Sequence, residues 1–72
     1  MTIQTMIEIT ANGQSHQVEP GCPLPAFLEA RQLSPKRVVI EYNGQALTPA
    51  EALQTTLREG DTLEIVRIVA GG

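Results

Sequence analysis

Residues 59–66 read Glu-Gly-Asp-Thr-Leu-Glu-Ile-Val, and the chain then runs on to end at Gly71-Gly72. The Glu-Gly-Asp triplet is typical of a turn, because glycine adopts backbone angles that other residues avoid. After it, leucine and isoleucine alternate with glutamate and valine, which is the two-residue period of a half-buried strand. The pattern predicts a last turn followed by a final strand at 62–69, and this strand carries the carboxyl end of the chain.

The carboxyl end itself consists of Ala70, Gly71 and Gly72. Glycine has no Cβ, so such an end can pass through gaps that admit only main chain. A terminal carboxylate has an ordinary pKa of about 3.3–3.7 and is an anionic oxygen nucleophile at neutral pH. Fraying is the alternative, because termini are usually the least ordered part of a domain. If the last strand is central in a sheet, however, it holds the root of the tail in place. We therefore predict a single domain at 1–69 and a flexible, reactive tail at 70–72.

Upstream of this strand the pattern predicts two hairpins. Asn12-Gly13 and Asn43-Gly44 each supply the positive backbone angles of a tight two-residue turn. Residues of alternating polarity flank the first turn, and a strand with a short return flanks the second. The four strands are expected at 6–11, 14–19, 38–42 and 45–47.

Two segments have helical features instead. Apolar residues recur at helical spacing from 23 to 33, and Pro23 and Pro25 fit only a first helical turn. Thr48-Pro49-Ala50-Glu51 matches a capping box with proline at the first helical position, which predicts a brief helix to about Gln54. The order of elements predicts an α+β domain with a mixed sheet of four to five strands packed on one main helix. With right-handed connections, the first and last strands pair in parallel at the centre of the sheet.

The composition excludes several classes of protein. A chain of 72 residues forms one modest core, since a chain this short buries only about 60% of its unfolded surface. Five basic against eight acidic residues give a net charge of −3, which argues against a nucleic-acid partner. No apolar run approaches the roughly 20 residues that span a bilayer, so no membrane partner is expected. The start lacks the basic and apolar regions of a signal peptide, and we expect a cytoplasmic location.

Metal and nucleophilic catalysis have little support in the sequence. One histidine and one cysteine provide no zinc-ligand set and no intrachain disulfide. Cys22 precedes the main helix without an adjacent base, and we interpret it as a small apolar contact. His16 has the strand parity of Val18, which predicts a hydrogen-bonded ring at the edge of the core. No bound cofactor is expected.

The chain resembles the ThiS family, the ubiquitin-like sulfur carriers of thiamine (thiazole) biosynthesis, which have the β-grasp fold. The resemblance covers nearly all of 6–72, with five residues before Met6, where family members often begin. It rests on the segment 59–66 leading into Ala70-Gly71-Gly72, on Met6-Ile7-Glu8-Ile9 before the first Asn-Gly, and on residues 38–44. Cys22-Pro23 departs from the family, in which a capping Thr or Ser is more usual at the start of the helix.

The resemblance implies a function for the tail. A ubiquitin-activating-like adenylyltransferase, using ATP and magnesium, would adenylate the carboxylate of Gly72. Sulfur from a persulfide donor would then convert it to a thiocarboxylate, and thiazole synthase would take up that sulfur. In this scheme Gly71 and Ala70 provide a slender approach, and the carrier itself catalyses nothing.

Strand parity predicts a partner-docking face independently of the family. If the apolar positions of one parity face the helix, aliphatic and acidic side chains share the opposite face of the sheet. Exposed aliphatic groups often mark contacts, and the carboxylates would meet basic residues of the activating enzyme. The predicted docking face comprises Met6, Glu8, Val39, Glu41, Glu64, Val66 and Ile68. An ordinary solvated sheet face is the alternative.

Other functions remain open. One is a sulfur carrier of another pathway, such as molybdopterin, siderophore or amino-acid biosynthesis. Another is a ubiquitin-like modifier or binding module, in which Gly72 would form an isopeptide bond with a lysine. A stand-alone enzyme is disfavoured, because Glu8, Glu41 and Glu64 have no acid/base partner and form no cleft pattern.

Overall fold

The computed structural model describes residues 5–69. Within them the elements follow the predicted order of hairpin, helix, strand, short return, short helix and strand. They are β1 (Ile7–Ala11), β2 (Gln14–Val18), α1 (Leu24–Ala30), a 3₁₀ helix (Pro35–Arg37), β3 (Val38–Tyr42), β4 (Gln45–Leu47), α2 (Pro49–Leu53) and β5 (Thr62–Arg67).

The five strands form one mixed sheet in the order β2-β1-β5-β3-β4. As predicted, the first and last strands pair in parallel at its centre, and the other pairs are antiparallel. Apolar side chains of the helix and of one sheet face form the core, and burying them supplies most of the driving force for folding. The largest fully buried side chains are Phe27, Ile9, Leu24, Leu28, Ile40, Leu57 and Leu63. This arrangement confirms the α+β, β-grasp prediction.

Both Asn-Gly pairs form the predicted hairpin turns. Asn12 and Gly13 have φ angles of 51° and 79°, and Asn43 and Gly44 have 51° and 85°. Two successive residues with positive φ are the requirement of a type I′ turn, whose twist matches that of the flanking strands. The turn residues therefore set the register of both hairpins.

Helix α1 begins without a side-chain cap, as the Cys22-Pro23 departure suggests. Pro23 occupies the cap position, and none of its side-chain atoms accepts a hydrogen bond. Instead, the Leu24 amide donates to the carbonyl of Thr55 at 2.8 Å, and the Leu57 amide donates to the carbonyl of Cys22 at 2.8 Å. A segment distant in sequence therefore replaces the missing cap, and it also inserts Leu57 into the core.

Helix α1 is shorter than the predicted 23–33, because it ends at Ala30. Gln32 adopts a left-handed φ of 60°, and the Leu33 amide turns back to the carbonyl of Leu28 at 2.9 Å. A left-handed residue of this kind commonly ends a helix, although glycine usually occupies the position. The 3₁₀ helix at Pro35–Arg37 was not predicted; it follows the same reversal of the chain.

Helix α2 has the predicted capping box. The Glu51 amide donates to Thr48 Oγ1 at 3.1 Å, and the Thr48 amide donates to Glu51 Oε1 at 2.8 Å. Strand β1 begins one residue later than predicted, and β2 ends one residue earlier. Strand β5 ends at Arg67, two residues before the predicted limit of 69. These differences are confined to the ends of elements, where strands lose their neighbours.

Candidate functional site

The candidate site is the root of the carboxyl-terminal tail, where β5 leaves the sheet. Strand β5 lies between β1 and β3, and it pairs with β3 from Val38–Arg67 to Tyr42–Leu63. Beyond the strand, the Ile68 amide still donates to the carbonyl of Arg37 at 2.8 Å. Main-chain hydrogen bonds therefore hold the chain up to Ile68.

The Asn12 side chain forms hydrogen bonds with β5 beyond the last residue of β1. Its Oδ1 accepts from the Ile65 amide at 2.7 Å, and its Nδ2 donates to the Ile65 carbonyl at 3.0 Å. The side-chain amide thus replaces the main chain of a further β1 residue. The sequence predicts Asn12 only as a turn residue, because its partner lies 53 positions away.

The second turn asparagine holds the start of β5 together with a buried carboxylate. Asn43 Oδ1 accepts from the Thr62 amide at 2.8 Å, and Asn43 Nδ2 donates to Asp61 Oδ1 at 3.1 Å. Asp61 Oδ2 accepts from the Tyr42 hydroxyl and from the Arg58 amide, each at 2.7 Å. Asp61 is 6% exposed and is the buried polar residue among those the structure describes. The sequence placed it in a turn but did not predict this network.

The network changes the acidity of Tyr42. Burial raises the pKa of the Tyr42 hydroxyl above its ordinary value of 10.0, and the hydrogen bond and negative charge of Asp61 raise it further. The charge of Arg58 acts in the opposite direction. Because the folded state holds this proton more tightly than the unfolded chain, the contribution to stability is complete below about pH 10. It is lost as the pH rises through the raised pKa.

On the sheet face away from α1, three aliphatic side chains lie beside the tail root. Val39 and Val66 are directly opposed on β3 and β5, and Ile68 follows two residues later with the same parity. Their exposed fractions are 50%, 63% and 55%. We call Val39, Val66 and Ile68 the apolar patch. It forms the part of the predicted docking face that lies nearest the tail.

Two carboxylates border the apolar patch. Glu41 and Glu64 are also opposed residues of β3 and β5, two residue pairs further from the tail than Val39 and Val66, and both are exposed. Like charges directly opposite each other destabilise a sheet, so the fold gains nothing from this pair. The pair gives the border of the apolar patch a local negative charge.

Met6 and Glu8 lie at the other end of the sheet. The Gly60 amide donates to the Glu8 carbonyl at 2.8 Å, and the Glu8 amide donates to Glu59 Oε1 at 3.1 Å. Glu8 is therefore level with the residues just before β5, about 20 Å along the strand from Val66 at about 3.3 Å per residue. Met6 is further away still. The structure brings together five of the seven predicted docking residues and separates these two from them.

The reactive residues predicted from the sequence, Ala70, Gly71 and Gly72, lie outside the described residues. The last residue described is Val69, whose side chain is 84% exposed. The chain therefore leaves the sheet at a position open to solvent.

The remaining candidates have structural roles. Cys22 is half-buried against the core, and the ring of His16 accepts a hydrogen bond from Arg31 Nη2 at 3.0 Å. Across residues 5–69, no cluster of three or more potential metal ligands occurs. Over the same range, every helix is too short or too polar to cross a bilayer.

The mixed sheet, the single main helix and the exposed carboxyl end of a central strand define a small ubiquitin-like protein of the β-grasp class. The chain belongs to the ThiS family, whose model matches residues 4–72. Members of this family are small sulfur carrier proteins of thiamine biosynthesis and are not themselves catalysts.

Among solved structures, the chain is similar to a thiamine biosynthesis protein (ThiS) from Geobacter metallireducens. The two share 26% sequence identity with a TM-score of 0.75, and the match covers 92% of this chain and all of that one. A search of curated proteins found no match.

Proposed function

We propose that the chain carries sulfur on its carboxyl terminus for formation of the thiazole ring of thiamine. The carboxylate of Gly72 is the reacting group, and a ubiquitin-activating-like adenylyltransferase activates it in the cytoplasm. The observation that carries the proposal is the ThiS family match, which runs through the Gly-Gly end to residue 72. The similarity to a protein described as a thiamine biosynthesis protein supports the same pathway.

The proposed chemistry requires three substitutions. A carboxylate oxygen of Gly72 attacks the α-phosphorus of ATP, which is bound with magnesium by the enzyme, and pyrophosphate leaves. The terminal sulfur of a persulfide donor then attacks the acyl carbon and displaces AMP, which forms an acyl disulfide. A second thiol of the sulfur-transfer machinery cleaves this S–S bond, forms a disulfide with the donor sulfur and releases the thiocarboxylate. This group remains ionised and nucleophilic, and it passes its sulfur to thiazole synthase.

The chain's own contribution is to present the reacting atom. Gly71 and Ala70 keep the tail narrow enough to enter an active site, since glycine adds no side chain. The position of β5 at the sheet centre, the hydrogen bonds between Asn12 and Ile65, and the hydrogen bond from the Ile68 amide to the Arg37 carbonyl support a firmly held root. Holding the root reduces the conformational freedom that is lost when the tail binds.

We propose that the apolar patch and its bordering carboxylates, Glu41 and Glu64, dock the activating enzyme. The three aliphatic side chains of the apolar patch are exposed and lie outside the core, and exposed apolar clusters commonly mark protein contacts. The opposed carboxylates are unfavourable within this chain alone and would be relieved by basic groups of a partner. Met6 and Glu8, at the far end of the same face, would extend the contact only for an enzyme that covers the whole sheet.

Intact mass spectrometry tests the carboxyl-terminal mechanism. After incubation with ATP, magnesium, the activating enzyme and a persulfide donor, we expect replacement of one oxygen by one sulfur, located in the last peptide. A chain extended by one alanine after Gly72 is the control, because its terminal carboxylate is displaced and carries a side chain. Sulfur uptake by that control would contradict the mechanism. A stable isopeptide instead of a thiocarboxylate would identify a modifier.

Val66→Asp is expected to raise the KM of the activating enzyme for this chain by about tenfold or more. It places a charge in the centre of an apolar contact, and a hot-spot residue at the centre of an interface is worth about 2 kcal/mol or more. The matched control is Leu53→Asp, which makes the same type of change at a 56% exposed side chain on α2. Equal KM values for the Val66→Asp and native chains would reject the apolar patch as the docking site.

A further inference from the structure

A second surface flanks the tail root, on the helix side of the sheet. There, a cavity of about 380 Å³ opens between the end of α1, the first hairpin and the end of β5. Phe27, Leu33 and Ile65 are its apolar lining, and Arg31 and Arg67 are its charged lining. Its other lining residues are Ala11, Asn12, Gln14 and His16, so none of the side chains that line it within residues 5–69 is acidic. We call this cavity the basic cleft.

Neutral groups hold Arg31 in the basic cleft. Its guanidinium carbon lies 3.7 Å from the centroid of the Phe27 ring, and its Nη1 donates to the Phe27 carbonyl at 3.3 Å. Its Nη2 lies 3.0 Å from His16 Nδ1, which must be the acceptor because arginine has only donors. The His16 ring packs edge-on against Phe27, with 5.4 Å between centroids. These contacts orient Arg31 and leave its positive charge without a counter-charge among these partners.

The basic residues of the chain are concentrated around the tail root. Of five in all, Arg31 and Arg67 line the basic cleft, and Arg37 joins Arg67 around an adjoining hollow of about 210 Å³. Lys36 is next to Arg37 in the chain, and only Arg58 lies at the opposite end of β5. Because the whole chain has a net charge of −3, this is a local reversal of sign. Such a reversal favours an anionic partner at this end of the molecule.

The length of the tail limits where that partner can be. Three residues follow Val69, and at about 3.3–3.6 Å per residue they reach about 11 Å at most. An active site that encloses Gly72 therefore brings the rim of its channel against the tail root. The rim meets the apolar patch on one side of the sheet and the basic cleft on the other.

We propose that the basic cleft binds an acidic segment of the activating enzyme at the mouth of its tail channel. A carboxylate side chain is the chemistry that fits, because an arginine fork binds carboxylates through paired hydrogen bonds and the cleft offers two arginines above an apolar floor. This inference rests on the proposed function and adds a second contact, opposite the apolar patch. The two contacts together fix the direction in which the tail enters the channel of the activating enzyme.

The test compares steady-state adenylation of charge variants by the activating enzyme. Arg67→Gln and Arg31→Gln are each expected to raise the KM for the carrier about threefold, and the double variant about tenfold, with kcat unchanged. The increase in KM with added salt is expected to be smaller for the double variant, since fewer charges remain to be screened. Arg58→Gln is the matched control and should behave as the native chain.

Arg31→Gln removes the packing of the guanidinium on the Phe27 ring and could unfold the chain for that reason. In that case the comparison between Arg67→Gln and Arg58→Gln decides the test. Arg31→Lys, which keeps the charge but not the fork, should retain part of the affinity. If Arg67→Gln and Arg58→Gln have the same KM, the proposal is overturned. A defect that appears only in sulfur transfer to thiazole synthase also overturns it, because the cleft would then serve a different enzyme. Failure of the native chain to be adenylated at all would reject the proposed function instead.

Discussion

Gly71→Val is expected to lower kcat/KM for adenylation of the chain by about 100-fold or more, because small misplacements of a reacting group have effects of this size. Valine adds a β-branched side chain next to the reacting carboxylate, where the channel must admit main chain only. It also restricts the backbone angles, since β-branched residues are stiff and avoid positive φ. Gly71→Ala should have an intermediate effect, because it adds one methyl group.

Thermal unfolding provides the control for Gly71→Val. Residue 71 follows the last strand, so the melting temperature should equal that of the native chain. If Gly71→Val has native stability but is no longer adenylated, the defect lies in the tail and not in the folded domain. Adenylation at the native rate by Gly71→Val would show that the channel tolerates side chains, and the role assigned to the Gly-Gly end would be wrong.

Asp61→Ala is expected to lower the free energy of unfolding by about 3 kcal/mol, because it removes three hydrogen-bond acceptor contacts from a buried carboxylate. The Tyr42 hydroxyl, the Asn43 side chain and the Arg58 amide lose their partner together. A domain of this size has a total stability of about 4–11 kcal/mol. The melting temperature should therefore fall by about 15 °C.

Chemical denaturation of paired variants checks the prediction for Asp61. Glu59→Ala is the matched control, because it removes a neighbouring exposed carboxylate whose single hydrogen bond to the Glu8 amide is worth less than about 1 kcal/mol. Tyr42→Phe should remove the loss of stability above about pH 10 that the raised pKa of Tyr42 causes. If Asp61→Ala is no less stable than Glu59→Ala, the network does not hold the start of β5.

The features that could be predicted from the sequence depend on neighbouring residues. The Asn-Gly pairs have the backbone angles that a type I′ turn needs, so both hairpins were predicted correctly. Thr48 and Glu51 are three positions apart and form their capping box within one helical turn. The period of two in 62–66 identified the last strand. The carboxyl end of α1 could not be predicted. Gln32 adopts the left-handed conformation that ends the helix, whereas the sequence signal for such an end is a glycine at that position.

The candidate site divides in the same way. Strand parity brought Val39, Val66 and Ile68 to one face, because alternation along a strand is a local property. Strand parity could not show which residues of that face lie near the tail and which lie at the far end, because their positions along the sheet depend on the register between strands. The parallel pairing of Thr10 with Thr62 sets that register and separates Met6 and Glu8 from the others.

The sequence by itself determined the order of the elements, the turns, the face of each strand and the chemical nature of the Gly-Gly end. Each of these follows from the conformational preferences and polarity of residues that are close in the chain. Only the tertiary structure decided the Thr55 cap of α1, the hold of Asn12 on Ile65, the burial of Asp61 and the basic cleft. These features join residues that lie far apart in sequence, and such contacts exist only after the packing of the core has brought the strands and the helix together.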